Sequence, residues 1–235
     1  MKIIVVVLFC LLISSPIAQV MDQQVWVETG VKYNISKKLS SSFDFTQRYG
    51  YKGLGTLFPQ LSVRYKVNSW LRPSLDYRII LSKSLDGTYT SSQRINGNLQ
   101  FSYAKNGLEF GFRVRYQYRF ERINSAYDSE FDHAFRFKPS VEYTIQGTPL
   151  TPTLSTELFY NPENSANGKQ FNRARYFGGI TIDLPHKQHV SVGIYYDKSI
   201  NIIPKSRIMY GLSYQISLAA SKSKKKSTTK NLRDL

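Results

Sequence analysis

FGFRVRYQYRF, Phe110 to Phe120, alternates by parity: Phe110, Phe112, Val114, Tyr116, Tyr118 and Phe120 on one side, Gly111, Arg113, Arg115, Gln117 and Arg119 on the other. Successive side chains of a strand point to opposite faces, so this segment is a ribbon with one aromatic face and one cationic face. Two settings use such a ribbon. Nucleic-acid binders interleave basic and aromatic groups on a single face, so that bases stack while phosphates pair. Transmembrane barrel strands put apolar groups outward and polar groups inward. Here the two kinds of group lie on opposite faces, which favours the barrel and argues against a nucleic-acid partner.

The pattern recurs along the chain. Val25, Val27, Val31 and Tyr33 oppose Glu28, Lys32 and Asn34; Phe43, Phe45 and Tyr49 oppose Asp44, Thr46 and Arg48; Leu57, Leu61, Val63, Tyr65 and Val67 oppose Gln60, Ser62, Arg64 and Lys66. Leu71, Leu75, Tyr77, Ile79 and Leu81 oppose Arg72, Ser74, Asp76 and Arg78; Ile95, Leu99, Phe101 and Tyr103 oppose Arg94, Asn96, Asn98 and Gln100. Phe135, Phe137, Val141 and Tyr143 oppose Arg136, Lys138, Ser140 and Glu142; Leu154, Leu158 and Tyr160 oppose Ser155 and Glu157. The last runs set Tyr176, Ile180 and Ile182 against Arg173, Arg175 and Asp183, Val190 to Tyr196 against Ser191 and Asp197, and Ile208 to Leu218 against Arg207, Ser213 and Gln215. No stretch keeps helical spacing, so the chain reads as all-β.

Eleven runs are countable, and the expectation is an antiparallel up-and-down transmembrane β-barrel of about 10–12 strands, because bacterial barrels have even strand numbers. Short turns follow the odd runs (36–38, 68–69, 105–107, 146–148, 185–188), and longer polar links follow the even ones (50–55, 83–92, 124–132, 162–170, 199–206). Pro59, Pro73, Pro139 and Pro152 fall inside runs, Pro139 being the worst fit because proline gives the ladder no N–H. A secreted sandwich would also alternate, but its core face would carry Val, Ile and Leu. The apolar parity here is rich in Tyr near strand ends, as the aromatic girdles of a membrane barrel would require.

Charge and termini fit this reading. The chain has 235 residues and a formal charge of +16. Met1-Lys2, the apolar run Ile3–Ile13 and Ala18 before Gln19 predict a cleaved signal peptide over residues 1–18, hence export to the cell outer membrane. Cys10, the single cysteine, lies within that signal, so no disulfide is expected in the barrel, residues 19–218. Residues 219–235, with Lys222, Lys224, Lys225, Lys226, Lys230 and Arg233, read as a basic disordered tail.

The runs TPTLSTELFYNPENSANGKQFNRARYFGGITIDL (Thr151–Leu184) and RIMYGLSYQISL (Arg207–Leu218) resemble the bacterial family catalogued as domain of unknown function 2490, the resemblance extending from about Val25 to Leu218. Its most specific pieces are Glu157–Asn161 and Arg173–Tyr176. The resemblance implies an outer-membrane β-barrel without assigning it an activity. Gly211–Ile216 is similar to the segment recognised by the barrel-assembly machinery.

The inward parity collects the candidate lumen-lining residues Arg48, Arg64, Arg78, Arg94, Arg113, Arg115, Arg119, Arg136, Arg173, Arg175, Glu109, Glu142 and Glu157. It also holds Arg72, Arg207, Lys32, Lys66 and Lys138 against Glu28, Asp44, Asp76, Glu121, Asp183 and Asp197, leaving cations in surplus. Such a lumen suits a narrow, porin-like, anion-favouring pore for acidic sugars or other small anionic solutes. It suits equally a closed structural barrel with a salt-bridged polar core. A third class is an outer-membrane enzyme with a rim active site, for which Asp132-His133 near Ser129 and Glu130, or His186 and His189, are the only weak constellations. The expectation is no catalysis, no cofactor and no metal, with outer-membrane lipid and the barrel-assembly machinery as partners.

Overall fold

Eleven alternating runs become eleven strands in the computed structural model, which describes residues 21–84, 86–120, 133–164, 168–202 and 205–219. The expected signal peptide, nearly all of the basic tail, and Glu121, Ser129, Glu130 and Asp132 lie outside the described residues. The strands are β1 (Met21–Asn34), β2 (Leu39–Gly50), β3 (Gly53–Tyr65), β4 (Leu71–Lys83), β5 (Tyr89–Lys105) and β6 (Leu108–Arg119). β7 (His133–Tyr143), β8 (Leu150–Asn161), β9 (Gln170–Leu184), β10 (Gln188–Ser199) and β11 (Ser206–Ala219) complete them. Each pairs with its sequence neighbours, and β1 pairs with β11 to close the barrel.

An odd number of up-and-down strands cannot close with antiparallel pairs alone. The seam between β1 and β11 is accordingly parallel, in register from Met21↔Ser206 to Asn34↔Ala219, while every other pair is antiparallel. This resolves the parity question: the eleventh run belongs to the wall, and the seam absorbs the odd count. Side-chain hydrogen bonds span it, among them Arg207 Nε donating to Asp22 Oδ2 at 2.8 Å and Asn34 Nδ2 donating to the Leu218 carbonyl at 3.0 Å. We call the rim where β1 and β11 begin the upper rim and the opposite one the lower rim.

Parity sorts the side chains as the sequence requires. Exposed apolar residues project outward from every strand, among them Val31, Phe43, Leu61, Leu75, Leu99, Phe112, Val141, Leu154, Ile180, Ile194 and Leu212. Tyr33, Tyr65, Tyr103 and Tyr143 stand at the lower ends of their strands, and Tyr49, Tyr118, Tyr160 and Tyr196 at the upper ends. At about 3.3 Å per residue and a strand tilt near 40°, Phe110 and Tyr118 of β6 lie about 20 Å apart along the barrel axis.

The connections depart from expectation. The link expected over 50–55 is a two-residue turn, Tyr51-Lys52, because Gly50 pairs with Gly53 and Gly53 takes the left-handed φ of 82°. The link expected over 83–92 shrinks to 84–88, since Lys83 pairs with Tyr89 and the polar Thr90–Ser92 stay in the ladder. Backbone pairing continues past the point where side chains stop alternating in polarity. Lys66 and Val67, expected in the wall, lie in the connection after β3, so Lys66 does not line the lumen. The β5–β6 turn has the expected form, Asn106-Gly107 with φ of 52° and 79°, the twist a two-residue hairpin needs.

All four strand prolines point outward. Pro59 opposes Phe45, but the β3–β4 ladder lapses between Leu57↔Leu81 and Gln60↔Arg78. Pro139 opposes Phe112, and the β7–β8 ladder lapses between Phe137↔Leu158 and Ser140↔Ser155. Each of these two residues turns its missing N–H toward one neighbouring strand, so the damage is confined to one side of the ladder.

The seam can be tested covalently. Val27 and Leu212 are register partners, and the chain's only cysteine, Cys10, lies in the expected signal. A Val27→Cys, Leu212→Cys double variant should form an intramolecular disulfide under mild oxidation, read as a mobility change on non-reducing gels, because partner Cα atoms in a sheet fall within disulfide range. Val27→Cys with Val192→Cys, one strand further away, should not. Failure of the first pair would remove the parallel seam.

Candidate functional site

The inward faces fill the barrel unevenly. In the upper half, alternation breaks down and apolar side chains enter the lumen: Trp26, Phe58, Ile80, Phe159, Phe177, Tyr195 and Met209. Of these, Phe58, Ile80, Phe159 and Met209 are buried, as are the polar groups Arg94, Asn96, Gln117, Arg119 and Asn161. Ile80 and Met209 are 0% exposed and Arg94 is 2% exposed, so this section is a packed plug. Guanidinium groups lie over ring faces within it. The Arg48 Cζ sits 3.9 Å from the Trp26 ring centroid and 4.2 Å from that of Phe58. Arg136 lies 4.5 Å and Arg173 5.3 Å from Phe159, and Arg78 lies 5.3 Å from Phe58. Each such contact is worth about 0.5–2 kcal/mol when desolvated.

Beneath the plug a carboxylate gathers the arginines. Glu157 on β8 is 4% exposed. Its Oε2 accepts from Arg136 Nη2 at 2.7 Å, and its Oε1 accepts from Arg136 Nε at 3.1 Å and from Arg113 Nη2 at 2.8 Å. Arg175 is its register partner on β9 and makes a two-pronged pair with Asp197, at 2.6 and 2.8 Å. Asp197 in turn opposes Arg207, which reaches Asp22 across the seam. A second centre forms on the other wall, where Arg115 donates to Asn98 Oδ1 at 2.5 Å and to Asp76 Oδ2 at 3.1 Å. Asn98 Nδ2 also donates to Asp76 Oδ2 at 2.9 Å. Glu157 and Asp76 offset juxtapositions that pairing alone makes repulsive, Arg115↔Arg136 and Arg113↔Lys138.

The lower half is hollow. A cavity of about 620 Å³ has Asp76, Asn98 and Arg115 as its buried floor and opens toward the lower rim, where Arg64 and Glu142 are exposed. Lys32, Arg64, Arg72 and the serines 40–42 line one wall; Glu109, Glu142 and Lys138 line another. Thus the candidate lumen residues divide. Arg48, Arg94, Arg119 and Arg173 belong to the plug, and Arg113, Arg136, Arg175 and Glu157 to the central network. Arg115 and Arg78 border the cavity from above, and Arg64, Glu109 and Glu142 stand at its mouth.

Parity reasoning missed the inward aromatic and aliphatic groups. Their signal is adjacency: in Leu57-Phe58, Ile79-Ile80-Leu81, Leu158-Phe159-Tyr160, Tyr176-Phe177, Tyr195-Tyr196 and Ile208-Met209-Tyr210, neighbouring apolar residues cannot all face outward.

The histidines do not converge. His133 Nδ1 lies 2.8 Å from the Tyr116 hydroxyl and its backbone N–H donates to Glu163 Oε1 at 3.3 Å, while His189 Nδ1 lies 2.6 Å from Asp183 Oδ1 at the lower rim. His186 is in the turn Pro185–Lys187. Among the described residues no group of three His, Cys, Asp or Glu side chains could hold a metal ion.

These features define a closed β-barrel with a charged interior. A family model described as "Protein of unknown function (DUF2490)" matches residues 23–202, and the chain belongs to that family. No curated protein matches the chain. One similar solved structure, described as "Unveiling the Mechanism Behind the in-meso Crystallization of Membrane Proteins", is 16% identical over 80% of this chain and 79% of that chain, with a TM-score of 0.41.

Glu157→Gln should be strongly destabilising, by about 3–5 kcal/mol, because it leaves buried guanidinium groups uncompensated. Asp183→Asn at the exposed His189 pair should cost no more than about 1 kcal/mol. Denaturant midpoints of the refolded barrels, followed by gel mobility, check the contrast; equal effects would deny Glu157 its central role.

Proposed function

We propose that the protein is an outer-membrane β-barrel whose lumen is a blind cup, sealed above by the plug and open at the lower rim. The plug carries this reading: Ile80, Met209, Arg94, Gln117 and Phe159 are all buried where a pore would need water. Membrane residence draws on the outer surface. Leu154 is 65% exposed, Leu75 59% and Ile194 53%, and similar residues ring the barrel. A soluble protein rarely exposes an apolar area beyond a few hundred Å². The tyrosines at both strand ends fit the interfacial girdles. With the segment similar to the assembly signal ending at the lower rim, that rim faces the periplasm and the cup opens inward. In this reading the barrel performs no reaction.

A narrow anion-favouring pore is the second reading, and one observation favours it. Asn96 and Ser92 are fully buried in the plug with side-chain polar atoms that find no hydrogen-bond partner. Leaving such groups unsatisfied costs about 1–3 kcal/mol each, so the plug gains if water enters.

The purified protein should shift in mobility on heating, as a folded barrel does, and should give no unitary conductance in a planar bilayer. Anion-selective steps would replace the cup with the pore; a soluble protein without a mobility shift would remove both. In whole cells Ser36→Cys, at the lower rim, should resist a membrane-impermeant thiol reagent that labels Asp86→Cys at the upper rim. The opposite pattern would invert the orientation.

A further inference from the structure

Resting on the blind-cup reading, we infer that the cup binds a small sugar-like ring carrying one oxyanion, a phosphate, sulfate or carboxylate. Glu157, Asp76 and Asp197 pair with Arg113, Arg136, Arg115 and Arg175, but three cations at the mouth have no such partner. Among the described residues Lys32 on β1, Arg64 on β3 and Arg72 on β4 form no ion pair or side-chain hydrogen bond, whereas Arg113, Arg115, Arg136, Arg175 and Arg207 are ion-paired and Arg78 donates to Gln60. They line one wall of the cavity and lie within electrostatic reach of one another. Three mutually repelling cations around Ser40 and Ser42 form a socket that an oxyanion relieves, through charge-assisted hydrogen bonds from guanidinium and ammonium groups.

The facing wall limits the ligand. Glu109 and Glu142 are register partners on β6 and β7, so two carboxylates stand side by side at the mouth. With Lys138 alone against them on this wall, they keep a net negative charge that accepts hydrogen bonds from hydroxyl groups and repels a second anionic group. The ligand therefore has one charged end and a neutral, hydroxylated body.

An aromatic platform receives that body. A second hollow of about 260 Å³ shares Glu28, Thr46, Glu142 and Thr153 with the cup and is lined by Phe177 and Tyr195. These rings, with centroids 4.4 Å apart, lie against backbone where side chains are missing. A Cβ at Gly193 or Gly211 would come within 2.8 Å of Phe177 Cζ or Tyr195 Cε2 respectively. Both rings line this hollow, where an electron-rich aromatic surface meets the polarised C–H groups of a sugar. The combined space falls in the range of small-molecule sites, about 300–1,000 Å³.

Trp26 supplies the readout, lying 5.4 Å from Tyr195, and Trp70, the other tryptophan, sits in the connection before β4. In a Trp70→Phe barrel that still shifts on heating, fluorescence should change saturably with glucose 6-phosphate and glucuronate, less tightly with inorganic phosphate, and not with glucose. Arg64→Ala and Arg72→Ala should each weaken glucose 6-phosphate binding about tenfold, and Phe177→Leu should weaken it while sparing inorganic phosphate. No saturable change with any probe in a heat-shifting, non-conducting barrel would overturn the site while leaving the cup. Conductance steps would instead overturn the cup. Inorganic phosphate binding as tightly as the sugar phosphate, or a nucleoside monophosphate binding more tightly, would overturn the saccharide body.

Discussion

Burying a guanidinium costs several kcal/mol unless a carboxylate and further hydrogen bonds meet it, and this barrel buries Arg94, Arg115, Arg119, Arg136 and Arg175. The polar faces of the strands have nowhere else to go, because their other faces are apolar. Closing the sheet therefore forces every inward charge into one narrow space. Three acids offset part of that cost: Glu157 meets Arg113 and Arg136, Asp76 meets Arg115, and Asp197 meets Arg175, each from another strand. Their hydrogen bonds tie β4 to β6, β8 to β6 and β7, and β9 to β10. The network is thus a second set of cross-links inside the backbone ladder.

The seam follows from the same need for closure. An open edge would leave a row of backbone N–H and C=O groups unpaired. Dropping or adding a strand would leave the alternation of one run unused, so β1 and β11 meet in parallel. Parallel pairing is slightly less stable per residue than antiparallel pairing. The Asp22–Arg207 pair links side chains across this junction and extends the chain of alternating charge Arg175, Asp197, Arg207, Asp22.

The wall of the barrel is legible in the sequence because an apolar outer face and a polar inner face impose period two on every strand. Phe112, Val114 and Tyr116 could be assigned outward and Arg113 and Arg115 inward without coordinates. The lumen is less legible because parity gives a side chain its face but not its neighbours. Glu157 joins Arg113 and Arg136 across strands remote in sequence, and nothing local distinguishes it from Glu109, which stands at the open mouth. Connection lengths are also obscured, as at Thr90–Ser92, where ladder hydrogen bonds persist beyond the apolar band. The plug is visible only in adjacent apolar pairs such as Leu158-Phe159, which a reading by parity treats as noise.

That breakdown of alternation divides the interior. Where strands keep strict parity, toward the lower rim, short serines and unmatched charges leave space. Where an aromatic or aliphatic group replaces an inward polar one, toward the upper rim, rings slide beneath guanidinium planes and the space closes. Arg113, Arg115 and Arg119 of the FGFRVRYQYRF strand cross this division in turn. Arg113 borders the cup and reaches Glu157, Arg115 forms the floor with Asp76 and Asn98, and Arg119 is buried in the plug. Identical side chains two or four residues apart on one strand thus meet solvent, a carboxylate or a packed core according to height in the barrel. The setting of the inward charges therefore changes along the axis, from the exposed Arg64 at the lower rim to the buried Arg94 and Arg119 above.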